Sequence, residues 1–405
     1  MPLWRRTLYI MFFARLVTAV GFSVIFPFLP LYVADLGSSS GASIELLAGL
    51  VFSAQAFTMM LASPVWGAVA DRYGRKLMVE RSMLGGAAIM LLMAFATSAE
   101  QLVILRAIQG TITGVVSATS ALVAAVAPRD RTGYAMGMMQ LGTWSGVAVG
   151  PILGGIIADE VGFEATFIVT ASLLFLAGIL VLFGIEEEFT PAEENRKINI
   201  FGGWKRIFSE PAVTTTYSLR FTSWLGRTML VPIAPLFVVS LLASDNDVGK
   251  ITGFMVGISA AAGTAGAVYF GRLGDRIGHR PIFIWGATAA ALFYFPQSLV
   301  TNIWQLILLQ GLAGAAAGSI LPSLSAMLVQ YTQPGDEGAV YGIENSVVAA
   351  SRTLAPLIGG AVASILGLRI TFVLAALLFL VAVWVAIRFL PDQPAVQPKP
   401  AEVPS

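Results

Sequence analysis

The chain has 405 residues, 57% of them hydrophobic and 12% charged, with a formal net charge of +1. A soluble domain carries about 25% charged residues, so the composition argues for a membrane protein, and the near-zero charge argues against nucleic acid as a partner. With no cysteine, and one histidine, His279, it can build no disulfide, thiol site, Cys-bound metal or paired-His centre.

The charges cluster and leave twelve apolar stretches, at about 7–35, 44–70, 77–98, 100–126, 132–158, 163–184, 212–243, 249–271, 281–300, 303–330, 337–364 and 369–390. Each is long enough to cross a bilayer as a helix. The first is too long, and carries Arg15 too deep, for a cleavable signal peptide, so it reads as a retained helix. It holds Arg15, Gly21, Pro27 and Pro30; the seventh holds Arg220, Gly226, Pro232 and Pro235. All four pairs keep one offset of 205 (220 − 15; 235 − 30). A membrane chain of two similar halves is the plan of a secondary transporter, with its substrate between them.

The expected organisation is therefore all-α, with six-helix bundles at 1–185 and 212–390, a central loop at 186–211 and a Pro-rich disordered tail at 391–405. Seventeen Lys and Arg fall on one side of this topology and only Lys250 and Arg369 on the other. Both termini are thus expected in the cytoplasm. His279 falls in a charged loop on that side, where a solvated role is expected.

The loop after span two contains Gly67, Asp71, Arg72, Gly74, Arg75 and Lys76; the loop after span eight repeats the pattern as Gly271, Asp275, Arg276 and Gly278. Glycine lets helices approach or turn tightly. An Asp there can meet the positive N-terminus of a neighbouring helix, and the bases can pair with carboxylates or lipid phosphates. Plain retention of positive charge on one side is the competing reading. In span four lies Arg106, where span ten has Gln310. An intramembrane arginine is costly and pairs inward or lines a water path; bonding to backbone carbonyls is the structural alternative. Arg15 and Arg220 lie nearer the cytoplasmic end in both halves, which suits a structural or snorkelling role.

Span five carries Gly137, Gly142, Gly146, Gly150, Pro151, Gly154 and Gly155. Gly142, Gly146, Gly150 and Gly154 recur every four residues and form one smooth stripe for close helix packing, while Pro151 can bend the span. Span eleven has Val347, Ser351, Ala355 and Gly359 there. A matching stripe in span eight, Gly253, Gly257, Ala261 and Ala265, is the candidate packing partner. Span eleven also holds Glu344 and Arg352, where span five has Met139 and Val147. Glu344 is the one clear carboxylate inside a span. It reads equally as a protonation or substrate-charge site and as half of a buried Glu–Arg pair, possible through another helix.

Taken together, the twelve spans, the doubled loop and the span-five pattern resemble the major facilitator superfamily, and most closely its twelve-helix drug–proton antiporter branch. The Pro27-Phe28-Leu29-Pro30-Leu31-Tyr32 segment is similar to the multidrug and tetracycline-type exporters of that group. The resemblance implies that Asp71, Arg72 and Arg75, with Asp275 and Arg276 as a weaker copy, hold the halves together when the protein is open outward. It assigns Arg106 to proton or substrate coupling. It also places Gln55, Gln140, Trp144, Trp224, Arg227 and Asn345 in spans that face a central cavity, where aromatic rings and amides could hold a ligand; packing against lipid or core is as good a reading of each. Several multidrug members carry acidic residues in span one and this chain has none, which leaves no basis there for selecting lipophilic cations.

The function expected is proton-coupled export of amphipathic small molecules across a bacterial cytoplasmic membrane, by a monomer amid membrane lipids. It would need no cofactor or metal and be no enzyme. The chain has no Gly-x-x-x-x-Gly-Lys-Ser/Thr loop for ATP. The proton-coupling set is Arg106, Glu344 and Arg352. The rivals are a metabolite importer or facilitator, and a lipid flippase or transporter-like receptor of the same fold.

Overall fold

The computed structural model describes residues 3–114, 119–120, 122–123, 126–128, 131–185, 187, 210–242, 247–332 and 337–391. The expected central loop and tail lie outside the described residues, apart from 187, 210, 211 and 391.

Among the described residues the regular structure is helical, and the helices follow the expected spans except in span four, where the helix stops at Ile112 and part of the expected remainder to 126 lies outside the described residues. Span one is α1 (Leu3–Ile25) and α2 (Leu29–Leu36); span seven is α9 (Pro211–Thr228) and α10 (Ile233–Leu241). The doubled prolines explain both breaks. Pro27 and Pro232 sit in the short turns between the paired helices, where a missing N–H and a fixed φ interrupt the ladder. Span two is α3 (Ile44–Tyr73). Span three is α4 (Arg75–Glu80), a π-helical turn (Arg81–Gly85) and α5 (Gly86–Met93); the periodicity gave no sign of that turn. Then follow α6 (Ala99–Ile112), α7 (Thr132–Val161) and α8 (Phe163–Gly184). The second half continues with α11 (Val248–Ile277), α12 (His279–Gln297), α13 (Ile303–Tyr331), α14 (Glu337–Leu366) and α15 (Leu368–Phe389). Nine spans among the described residues are long and apolar enough by themselves to cross a membrane.

The repeat extends to the turns. Gly74 and Gly278 have φ of 96° and 95° and let α3 and α11 pass directly into the next helix. Only glycine takes that backbone region without strain. The same helix pairs meet in both halves: α3 with α6 and α11 with α13, α1 with α7 and α9 with α14. The halves join through α3 against α14 and α7 against α11. Many outward faces are apolar, as at Phe183, Ile365 and Leu308. In lipid such faces need no cover, and helices associate through close packing of small residues.

Candidate transport pathway and its gates

The two halves touch at one end and part at the other. The end opposite the signature loops is sealed. The Ser43 hydroxyl, which caps α3, donates to Ser364 of α14 at 2.7 Å. A Cβ on Gly49 would strike the Pro356 carbonyl, and one on Gly360 would strike that of Glu45. On the other seam, Asp159 of α7 accepts from the backbone N–H groups of Gly249 (2.8 Å) and Lys250 (2.7 Å) at the start of α11. A carboxylate there satisfies two free helix donors and meets the positive end of the helix dipole. Lys250 also pairs with Glu160 at 2.8 Å. Asp159 and Ser364 occupy equivalent places in the repeat (364 − 159 = 205), so one seam is closed by a carboxylate and the other by a hydroxyl. Asp159 carried no sequence signal by itself; alignment of the two halves at that offset would have shown the substitution.

Toward the signature loops the helices diverge. Among the described residues, no atom lies within 4 Å of where a Cβ on Gly67, Gly133, Gly137 or Gly342 would stand. A cleft of about 930 Å³ opens between α7 and α11, lined by Leu141, Trp144, Ala148, Val268, Tyr269 and Arg272 among others.

At the first signature loop, Glu187 accepts from the N–H groups of Arg75 (3.0 Å) and Lys76 (2.7 Å), capping α4. Lys76 pairs with Glu80 at 3.5 Å and donates to the Leu182 carbonyl at 3.0 Å. Arg72 lies over the Tyr73 ring at 5.5 Å. The Asp71 side chain lies outside what the structure describes. In the second loop, Asp275 and His279 approach to 3.3 Å. Contrary to expectation, His279 is only 7% exposed, because its ring fills the space left by Gly274.

The glycine stripe corrects a second expectation. Its partner is α1, not the span-eight helix. A Cβ on Gly146 would lie 2.5 Å from the Ala19 Cβ, and those on Gly150 and Gly154 would meet Ser23 and Val24. Gly142 faces Phe12 at 3.3 Å. The α11 helix packs on a neighbouring face: Gly155 against Gly249, Pro151 against Gly253, and Ile152 against Gly257. Residues 154 and 155 differ by about 100° around a helix, so adjacent glycines serve different partners. In the second half Ser351 donates to the Phe221 carbonyl and Gly359 fits against the Met229 carbonyl, both on the span-seven segment. Gly359 is therefore as tightly fitted as the first-half stripe, although span eleven keeps only one of its four glycines.

The intramembrane arginines separate into two environments. Arg15 is 2% exposed and donates to Thr143 at 2.9 Å, to Thr119 and to Ser120. Its equivalent Arg220 is ion-paired with Glu344 and donates to the Leu321 carbonyl at 3.1 Å. Neither snorkels; both turn inward to neighbouring helices. Glu344 meets Arg220 of α9, not Arg352 of its own helix, whose guanidinium lies 5.0 Å from the Trp224 ring centre. Arg352 is exposed. Arg106 is 2% exposed and donates to Gln109 at 2.7 Å and weakly to the Val51 carbonyl at 3.4 Å. One of its terminal nitrogens is buried with no hydrogen-bond acceptor among the described residues.

Of the remaining candidates, Trp144 lines the cleft. Gln140, Arg227 and Asn345 are exposed, and Gln55 is half-exposed where its backbone meets Gly110 of α6. Trp224 is drawn to Arg352, so these residues do not converge on one compact site. Sequence reasoning also missed the Arg81 guanidinium stacked 3.5 Å from the Trp66 ring centre, beside the π-helical turn.

Comparison with known proteins agrees with this architecture. The multidrug resistance protein MdtG of Proteus mirabilis is 34% identical over 388 residues, covering 95% of this chain and 96% of that one. Its namesake from Enterobacter lignolyticus is 35% identical over 93% of this chain and 90% of its own length. An inward-facing, occupied structure of a bacterial homologue of the human lysosomal transporter Spinster matches with a TM-score of 0.81 at 13% identity, covering 96% of this chain and 97% of that one. The family model described as Major Facilitator Superfamily matches residues 11–220 and 216–405. Fold, repeat and these matches agree: the chain belongs to the major facilitator superfamily.

Proposed function

We propose that this protein is a proton-coupled antiporter that exports amphipathic small molecules by alternating access across a bacterial cytoplasmic membrane. Its relatives are named for multidrug resistance, and the arginine-rich signature loops mark the cytoplasmic side. The structure is then the inward-open state, with a periplasmic seal of Ser43–Ser364 and Asp159–Lys250. In the outward-open state Asp71, Arg72 and Arg75, with Asp275 and Arg276, take over the joining of the halves. The working unit is a monomer in lipid, with termini in the cytoplasm, bundles at 1–185 and 212–390, and no covalent chemistry of its own.

The observation that carries the coupling is the buried contact between Glu344 and Arg220, where α9, α13 and α14 meet. Protonation of Glu344 removes the charge that holds Arg220. Release of the proton restores it. A carboxylate that gains and loses a buried partner is a two-state element that a proton gradient can bias. Arg352, stacked on Trp224, and Arg227 are cations on the same half, while Glu344 is already matched. That balance favours neutral, zwitterionic or weakly anionic amphiphiles over permanent lipophilic cations. Arg106, with a buried nitrogen unmatched among the described residues, adds a second charge-sensitive point on the first half.

Proteoliposomes test this reading. A zwitterionic antibiotic should move against its gradient when a proton gradient is imposed, and a quaternary ammonium dye should move poorly. Glu344→Gln should bind substrate and lose gradient-driven transport. Gradient-driven transport at the wild-type rate in Glu344→Gln would remove Glu344 as the proton carrier.

A further inference from the structure

The cleft between α7 and α11 carries an arginine, Arg272, that the transport reading leaves unused. Its apolar walls are Leu141, Trp144 and Ala148 on one side and Val268 and Tyr269 on the other. Four of these are more than half exposed: Leu141 55%, Trp144 52%, Val268 54% and Tyr269 66%. At its signature-loop end stand Arg272 and Arg276, both exposed and one helical turn apart on α11. The acid nearest in sequence, Asp275, is directed to His279 at 3.3 Å. Arg272 is an addition to the repeat, since the first half has Ala68 there (272 − 68 = 204). Toward the sealed end the cleft is lined by Ala148 and Ala261, and beyond them Ile152 packs against Gly257. The result is an open, mostly apolar slot, with the hydroxyls of Ser145 and Thr264 in its lining and two guanidinium groups at its mouth.

We propose that this slot is a loading site for a single-chain amphiphile bearing a phosphate or carboxylate headgroup, taken from the inner leaflet. The headgroup sits on Arg272 and Arg276, whose planar guanidinium groups suit such anions. The chain lies along Trp144 and Val268. The cavity of about 930 Å³ is at the upper end of the ~300–1,000 Å³ usual for small-molecule sites. The proposal names the substrate class of the exporter and rests on that reading only for the direction of transport.

Binding is measured without transport, so the two ideas can fail separately. Purified protein in nanodiscs of zwitterionic lipid is titrated with dodecyl phosphate brominated at the chain end. Tryptophan quenching present in the intact chain and absent in Trp144→Phe reports occupancy. Arg272→Ala, which installs the residue found in the first half, should weaken binding about tenfold, the loss of one charge-assisted contact. Arg272→Lys should recover most of it. Dodecyltrimethylammonium and inorganic phosphate should not compete, because one lacks the anion and the other the chain. Unchanged affinity in a folded Arg272→Ala protein overturns the proposal. So does quenching by brominated phosphatidylglycerol that dodecyl phosphate cannot displace, which would make the slot a membrane-lipid site.

Discussion

Replacing Gly146 and Gly137 by alanine, one at a time, should shift stability in opposite directions although both belong to the span-five glycine pattern. A Cβ on Gly146 would lie 2.5 Å from the Ala19 Cβ and 2.7 Å from the Val20 nitrogen. Carbon atoms rest at about 3.5–4.0 Å, so α1 must withdraw by about 1 Å. A gap of that size forfeits up to about half of each affected contact along the α1–α7 seam, and overpacking of this kind costs about 1–3 kcal/mol. In lipid nothing replaces the lost packing. Gly137 has nothing among the described residues within 4 Å of its added methyl, and alanine is favoured over glycine in a helix by about 0.8–1 kcal/mol. Gly146→Ala should therefore lower, and Gly137→Ala raise, the unfolding midpoint of the purified protein in one detergent, followed by tryptophan fluorescence. Equal destabilisation by both would refute the assignment of the stripe to the α1 contact.

Gly359→Ala should destabilise at least as much as Gly146→Ala in the same assay, because its methyl would run into the Met229 backbone carbonyl, which cannot rotate away. Arg220→Met should cost about 3–5 kcal/mol by leaving Glu344 buried without its partner. Arg220→Met/Glu344→Met should recover much of that loss, and additive losses would show that the pair is not coupled. Asp159→Ala should weaken the seal by about 1–2 kcal/mol, the value of a well-placed helix-end carboxylate. The measurement is disulfide formation in Ser43→Cys/Ser364→Cys, made in a chain that has no cysteine of its own. Asp159→Ala should slow it several-fold, and an unchanged rate would remove Asp159 from the gate.

The architecture was legible because membrane helices announce themselves by length and apolarity, and because the repeat fixes equivalents 204 or 205 residues apart. Gly74 and Gly278 pointed to the tight turns, whereas Pro27 and Pro232, read only as marks of the repeat, turned out to break spans one and seven. What stayed hidden depends on rotation of one helix against another. The spacing of Gly142, Gly146, Gly150 and Gly154 defines a face but not its partner; α1 and α11 approach α7 on faces about 100° apart. Glu344 was visible as an intramembrane carboxylate, yet its partner lies 124 residues earlier (344 − 220) on a different helix. His279 looked solvated because charged neighbours surround it, whereas Gly274 leaves its ring a buried slot. The Asp159 clamp joins an ordinary helix-end acid to two backbone N–H groups, and backbone donors leave no mark on a sequence.

The central claim is that the halves must part at the Ser43–Ser364 seam for export to occur. Inverted vesicles carrying Ser43→Cys/Ser364→Cys, energised by an imposed proton gradient, test it with one measurement of amphiphile uptake before oxidation, after oxidation and after reduction. Uptake should stop when the disulfide forms and return when dithiothreitol breaks it. Uptake at the unoxidised rate with the disulfide fully formed would contradict the account.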